Sequence, residues 1–496
     1  MPGWFDKSRI VAPLDYNRWL VPPAALAIHL SIGMAYGFSV FWKPLAQAIG
    51  VTQPAAGDWR IATLGWMYTL FFVFLGSSAA LFGPWVEREG PRRAGVYAAV
   101  LWSGGFVVSA LGVYLHRIEL LWLGSGVIGG CGLGLGYISP VSTLVRWFPD
   151  RRGLATGLAI MGFGGGAMIG TPLAELLIRR FATPTDVGVT KTFLVFGGLY
   201  AVAMALGAFA YRIPPPGWVP VGFVPPPTPT GGRSVPVATA WRTATFWRLW
   251  AVLCLNVSAG IGVLGIASPM IQEIFAGRVD PAGAAGFIGL LSLFNIAGRL
   301  FWASLSDRLG RPRTYAVFFA LGACCYLAVP VAARAADLRV FVALCCVIVS
   351  MYGGGFAAIP AYLADRFGTE QVGAIHGRLL TAWSTAGVLG PVLVNYLREA
   401  QLAAGVPAAA VYDRTLVVLA VLLGLGFLAN LGVRPLPDTA FTLTAAAPRT
   451  DPAHPAAAAP STRSWALVAV AWTAVGLPLG WGAWRTGTLA LALLGG

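Results

Sequence analysis

The sequence predicts an all-α polytopic membrane protein with two pseudo-symmetric six-helix bundles and an additional C-terminal hydrophobic segment. Three observations predict this. The 496 residues are 57% hydrophobic and 11% charged, with a mean hydropathy of +0.73, whereas a soluble protein is about one quarter charged. Apolar runs of about 20 residues, each long enough to cross about 30 Å of hydrocarbon, recur along the chain. Landmarks of the first half return in the second at a constant offset of 220 positions. This composition excludes soluble enzymes and nucleic-acid-binding proteins. The net charge of +15 reflects the Lys and Arg that membrane proteins collect in cytoplasmic loops rather than an acidic partner. Only Lys7, Lys43 and Lys191 are lysines, so arginine carries most of it.

The elements follow in order. Residues 1–18 form a cytoplasmic tail. Asp6, Lys7, Arg9, Asp15 and Arg18 precede a first apolar run too long for a signal-peptide core, so that run is retained as a helix. The N-terminal bundle, 19–212, has spans at 19–45, 59–85, 93–115, 119–147, 153–179 and 192–212. Residues 213–245, with "PPPGWVPVGFVPPPTPTGGR", cannot continue a helix and read as a cytoplasmic linker. The C-terminal bundle, 246–433, has spans at 246–276, 283–306, 312–334, 338–366, 370–397 and 411–433. A second linker, 434–463, is expected to be disordered. The stretch 464–496 is long enough for a thirteenth helix. An interfacial hairpin is the alternative, because Pro478 interrupts it and Trp465, Trp472, Trp481 and Trp484 suit the membrane interface.

The repeat is specific. Glu87-Arg88-Glu89-Gly90 maps onto Asp307-Arg308-Leu309-Gly310, Arg93 onto Arg313, Pro140 onto Pro360 and Arg146 onto Arg366. Gly153, Gly157 and Gly170 map onto Gly373, Gly377 and Gly390. Placing the N-terminus in the cytoplasm puts the larger share of Lys and Arg inside, which sets the orientation. The six cysteines, at 131, 254, 324, 325, 345 and 346, all lie in apolar runs, and no disulfide is expected. The four histidines, at 29, 116, 376 and 454, are dispersed, so neither a metal site nor a cofactor is expected.

"GPWVEREGPRR" (Gly83 to Arg93) and "SLSDRLGRPR" (Ser304 to Arg313) resemble the loop signature of the major facilitator superfamily, which lies between the second and third helices of each half. An acid at a helix end followed by arginines clamps neighbouring helix ends. The candidate cytoplasmic gate is therefore Gly83, Glu87, Arg88, Gly90, Arg93, Asp307, Arg308, Gly310, Arg311 and Arg313. Within that superfamily, "SIGMAYGFSVFWKPL", "GLGLGYISPVSTLVRWFPDRRGLATG" and "FNIAGRLFWASLSDRLGR" resemble the oxalate/formate antiporter family. The resemblance covers about 17–433. It implies a major facilitator fold with a midplane site, and transport of small carboxylates by antiport or proton symport in a bacterial-type inner membrane.

Arg299 fits that expectation. It lies eight residues before Asp307, roughly 12 Å inward along a helix, where a charge costs about 2.5–3.5 kcal/mol. No Asp or Glu lies at matching depth in the twelve spans. The expected counter-ion is a carboxylate substrate, which guanidinium binds in a bidentate way. Asn295, one turn earlier, shares its face. Tyr36, Tyr137 and Tyr352 are further candidate anion ligands, and His29 is the candidate proton carrier. The dicarboxylate exchangers of this family add a lysine in the eleventh span; here "TAWSTAG" places Trp383 at that position. One cation suits one carboxylate, so a monocarboxylate such as lactate or formate is expected over oxalate. His376 and Arg378 are expected at the cytoplasmic mouth of the same span. The expected partners are the carboxylate, a proton and the lipid bilayer, with the chain acting as a monomer and binding no nucleic acid. The alternatives are a facilitator for another substrate class, such as a drug or metabolite exporter, or a non-transporting membrane sensor.

Overall fold

The computed structural model describes residues 6–223, 233–279, 281–441 and 461–495. Its helices are α1 (Val21–Ile32), α2 (Ile61–Glu89), α3 (Pro91–Tyr114), α4 (Gly129–Trp147), α5 (Arg152–Phe181), α6 (Val189–Ala210), α7 (Ala244–Ile274), α8 (Pro281–Leu309), α9 (Arg311–Arg334), α10 (Leu338–Phe367), α11 in two pieces (Val372–Leu379 and Thr381–Ala403), α12 (Asp413–Leu431) and α13 (Thr462–Gly495). Among the described residues there is no β-strand, only isolated bridges between Val11 and Ile213 and between Thr183 and Asp186.

α1 opens with Pro22 and Pro23 in its first turn, where the missing N–H groups need no partner. The sequence predicts one helix over 19–45, but the chain tightens into a 3-10 segment, Gly33–Phe41, and a final turn, Trp42–Leu45. Gly33 lies against the Phe163 carbonyl of α5 there. The tightening rotates Tyr36 relative to His29, so the two side chains meet different neighbours. α4 is entered through a turn at Ile118–Leu121 and a π segment, Trp122–Ile128.

α1 to α6 and α7 to α12 form the two halves. They meet along two seams. On one, Ser384 of α11 donates to the Phe72 carbonyl of α2 at 2.6 Å. On the other, the Arg299 carbonyl and Ala303 of α8 lie against Gly157 of α5. Gly298 is the position where α8 rests on the Ser350 carbonyl of α10; a Cβ has no room there, so the approach that places Arg299 requires glycine.

Twelve helical segments among the described residues are long and apolar enough to cross a membrane. They are not the twelve of the repeat. α11 is absent from them: it is divided at Leu380, and its longer piece carries Thr381, Ser384, Thr385, Asn395, Arg398 and Glu399; α13 takes its place in the count. α13 runs continuously through Pro478 and forms no hairpin. It lies along α1, α5 and α8. Asn17 donates to Ser464 at 3.2 Å, and the Trp472 indole donates to the Trp19 carbonyl at 3.1 Å. Gly482 rests on Met168 of α5, and Thr486 on Gly289 of α8. The linker 213–245 carries a one-turn helix, Val237–Ala240. Most of 434–463, whose disorder the composition predicts, lies outside the described residues; its start holds a 3-10 turn, Asp438–Ala440.

Candidate functional site

Arg299 is fully buried midway between the halves. Its Nε donates to Asn295 Oδ1 at 2.9 Å, one turn back on α8. Its Nη1 donates to the Ile160 carbonyl of α5, in the opposite half, at 3.0 Å. Asn295 in turn donates to the Val349 carbonyl of α10 at 3.4 Å, which orients its oxygen toward the arginine. The guanidinium carbon sits 5.7 Å from the Phe163 ring and 5.6 Å from the Phe356 ring, a cation–π setting that supports the charge without supplying an anion. Nη2 has no partner in the protein.

An aromatic box surrounds this group. The Trp383 ring lies 5.3 Å from Phe163, 4.9 Å from Phe356, 5.3 Å from Tyr137 and 6.3 Å from Tyr36. The Tyr36 and Tyr352 hydroxyls bond each other at 2.9 Å, joining the halves. The Tyr137 hydroxyl and the Trp383 indole N–H, like Arg299 Nη2, are buried with no partner. Each unpaired buried donor costs about 1–3 kcal/mol. Three unpaired donors around one cation suit an anion with several acceptor oxygens. All six sequence-predicted ligands, Arg299, Asn295, Tyr36, Tyr137, Tyr352 and Trp383, enter this one cluster. Phe163 and Phe356 were missed, because nothing in a sequence separates a cation-facing phenylalanine from a packing one.

His29 lies beside the box. Its Nδ1 is 2.5 Å from the Ala159 carbonyl and its Nε2 3.3 Å from the Tyr137 carbonyl. Of the two residues expected at the mouth, His376 lies inside the protein, whereas Arg378 is partly exposed against the linker. His376 is fully buried, with its ring 5.9 Å from that of Tyr137. Arg378 donates to the Val237 carbonyl at 3.0 Å and covers Trp241. α11 breaks at Leu380, and its first piece packs on α2 and α4, which spacing alone does not reveal.

Below the box, at the end that carries the loop motifs, the two halves are held together. Glu87 accepts the Gly373 N–H of the opposite half at 2.9 Å and pairs with Arg146. Arg146 also donates to the Glu370 carbonyl at 3.0 Å. Asp307 accepts the Gly153 and Leu154 N–H groups of the other half at 2.8 and 3.1 Å, and pairs with Arg311 at 2.5 Å. Arg152 and Arg311 share Asp365 at 3.2 and 3.3 Å. Each acid thus caps the first turn of a helix in the partner half, where backbone N–H groups and the helix dipole favour negative charge. Gly90 and Gly310 end α2 and α8 at φ +91° and +84°, a region other residues rarely adopt. Gly83 lies against Ala374. Lys7 donates to the Glu87 carbonyl at 2.7 Å, and burial, with Arg146 nearby, lowers its ammonium pKa below the usual lysine range.

The motif arginines divide. Arg311 bridges acids as expected. Arg93 pairs instead with Glu89 of the same motif, and Arg88 lines a cavity beside Lys7 and Glu370. Arg308 and Arg313 form no ion pair among the described residues. In the first half the clamp is Arg146, reached from α4 rather than from the loop.

Two helical halves joined by a polar lock below and a sealed cationic box between them define a multi-pass membrane transporter, not an enzyme. The chain belongs to the Major Facilitator Superfamily, whose model matches residues 24–391. It is similar to the oxalate:formate antiporter of Oxalobacter formigenes, 26% identical over 375 residues covering 75% of this chain and 83% of that protein. It is also similar to monocarboxylate transporter 3 of Rattus norvegicus, 28% identical over 388 residues covering 77% and 74%. The uncharacterized MFS-type transporter YhjX of Escherichia coli is 26% identical over 378 residues, covering 74% and 85%. Among solved structures, the proton:xylose symporter XylE superposes with a TM-score of 0.62 over 84% of this chain and 96% of that one, at 16% identity, a likeness of fold alone. The family match ends at residue 391, well before α13.

Proposed function

We propose that this protein is a secondary active carrier of small monocarboxylates, of the oxalate/formate antiporter type, working by alternating access. The observation that carries this reading is Arg299: fully buried, held by Asn295 and Ile160, with one guanidinium nitrogen unpaired beside the unpaired Tyr137 hydroxyl and Trp383 indole. A carboxylate fills that need with two oxygens. The resemblance to proteins named for oxalate, formate and monocarboxylates supports the same class. Trp383, where a second cation would face Arg299, favours one negative charge over two.

The halves rock about the anion in this reading. The chain sits in the plasma membrane with its N-terminus in the cytoplasm and acts as a monomer. Transport proceeds by exchange or with a proton, and His29 is the proton-linked residue. Its two ring nitrogens both face carbonyl oxygens. A neutral imidazole donates to only one of them, whereas the protonated ring donates to both.

The test is thermal unfolding of purified protein across mono- and dicarboxylates, wild type beside Arg299→Ala. A ligand of the native state raises the melting temperature by mass action. Stabilisation by lactate or formate that vanishes in the variant is expected. Stabilisation that survives Arg299→Ala, or that oxalate produces more strongly, overturns the assignment.

A further inference from the structure

His376 is the one histidine in the described interior that the carboxylate site does not use. It sits one turn after Gly373, whose N–H holds Glu87 in the cytoplasmic lock. It is fully buried, and neither ring nitrogen has a partner. Unpaired buried nitrogens are rare in native proteins and concentrate where a group must change state. Its ring faces Tyr137 at 5.9 Å; the His29 ring faces the same tyrosine at 5.1 Å. Two histidines, one from each half, therefore meet at one tyrosine whose hydroxyl is itself unpaired.

Their surroundings are opposite. With the Arg299 cation also acting on it, the His29 ring faces two carbonyl acceptors. His376 has none and is poorly suited to hold a proton while sealed. The elements packed on this piece of α11 bring few charges to it. α2 presents Glu87, engaged by Gly373 and Arg146; α4 presents Tyr137; and His29 acts from α1, beyond Tyr137. Arg378, on the same piece, is committed to Val237 and Trp241.

Resting on the carboxylate-carrier reading, we infer that His376 is the residue through which the co-transported proton enters and leaves on the cytoplasmic side, and that it exchanges this proton with His29. When the Glu87–Gly373 bond parts, solvent reaches His376 and a ring lone pair takes a proton from hydronium, leaving neutral water. Sealing leaves that imidazolium without an acceptor. The proton then passes, through the Tyr137 hydroxyl or one bridging water, to His29, where two carbonyls accept it. One proton and one carboxylate then cross as a neutral pair. The reverse sequence returns them. His376 carries the proton and touches no carboxylate.

The experiment uses the full chain in liposomes, with labelled L-lactate as the probe and two assays. One is lactate counterflow with no pH gradient; the other is uptake driven by an acidic exterior. His376→Gln and His376→Phe are compared with wild type. Gradient-driven uptake is expected to fall by about tenfold or more, the scale of a lost proton-transfer group, while counterflow and thermal stabilisation by lactate persist. Unchanged gradient-driven uptake in both variants overturns the inference. So does a wild type that performs counterflow without responding to the gradient. Loss of both transport modes in variants still stabilised by lactate also overturns it, by assigning His376 to the movement of the halves. A wild type that neither binds nor exchanges any carboxylate counts against the carrier reading itself.

Discussion

Asp307 caps Gly153 across the seam between the halves as Glu87 caps Gly373, at 2.8 and 2.9 Å. Both acids and both glycines are related by the same shift of 220 positions. Each half therefore holds the other by the same device on this side of the molecule. A carboxylate bonded to two backbone N–H groups contributes about 1.5–3 kcal/mol per bond, so this lock is a substantial part of the preference for the closed arrangement.

Removing the Asp307 carboxylate tests that directly. In Asp307→Ala, the Gly153 and Leu154 N–H groups lose their acceptor. Hydrogen exchange in a peptide spanning Arg152 to Thr156 should quicken by about tenfold or more, the equivalent of at least 1.4 kcal/mol. Glu87→Gln keeps an oxygen for Gly373 and should show a smaller effect at residues 372–376. Equal protection in wild type and Asp307→Ala would show that the lock lies elsewhere.

Arg299→Lys preserves the charge but not the fork that reaches Asn295 and Ile160 together. Lactate affinity should fall by about 10- to 100-fold, with the protein still folded, because a lysine is a point charge at a site shaped for a planar one. Titration calorimetry against lactate measures this; affinity within twofold of wild type would remove the bidentate argument.

Trp383→Lys should alter the choice between one and two negative charges. A second cation opposite Arg299 favours oxalate, and the melting-temperature gain with oxalate should then exceed that with lactate. Without ligand the variant should be less stable, by about 3 kcal/mol or more, since a large buried ring is lost and a charge is left unpaired. A variant that still prefers lactate would dissociate Trp383 from charge selection.

Gly482→Leu places a side chain against Met168, whose Cγ and Cε would lie 3.1 and 3.2 Å from its Cβ. α13 should lift from α5, with a loss of about 1–3 kcal/mol. Limited proteolysis after residue 441 and a melting curve report it. Gly476→Leu, at a position with open space around it, serves as the control and should change neither.

The fold was legible because its cause is global. Twenty-residue apolar runs and a repeated loop motif follow from the bilayer and from duplication, and both can be read from residue types alone. Arg299 was legible for the same reason, since one charge among apolar residues stands out without any structure. The break at Leu380 was not legible, because each flanking residue tolerates a helix and the turn is set by contacts with α2 and α4. Its consequence, a buried His376, was hidden with it. The choice of Arg146 over Arg88 and Arg93 as clamp was equally hidden. Arg88 and Arg93 lie near Glu87 in sequence, whereas Arg146 is 59 residues away and meets it only in the fold.

α13 changes how the surrounding lipid meets the protein. It packs on both α5 and α8 and is hydrogen-bonded to the chain ahead of α1. Acyl chains therefore press directly on the α2–α11 seam but reach the α5–α8 seam only through a proteinaceous gasket. Bilayer thickness and lateral pressure then act unequally on the two sides of a nearly symmetric machine.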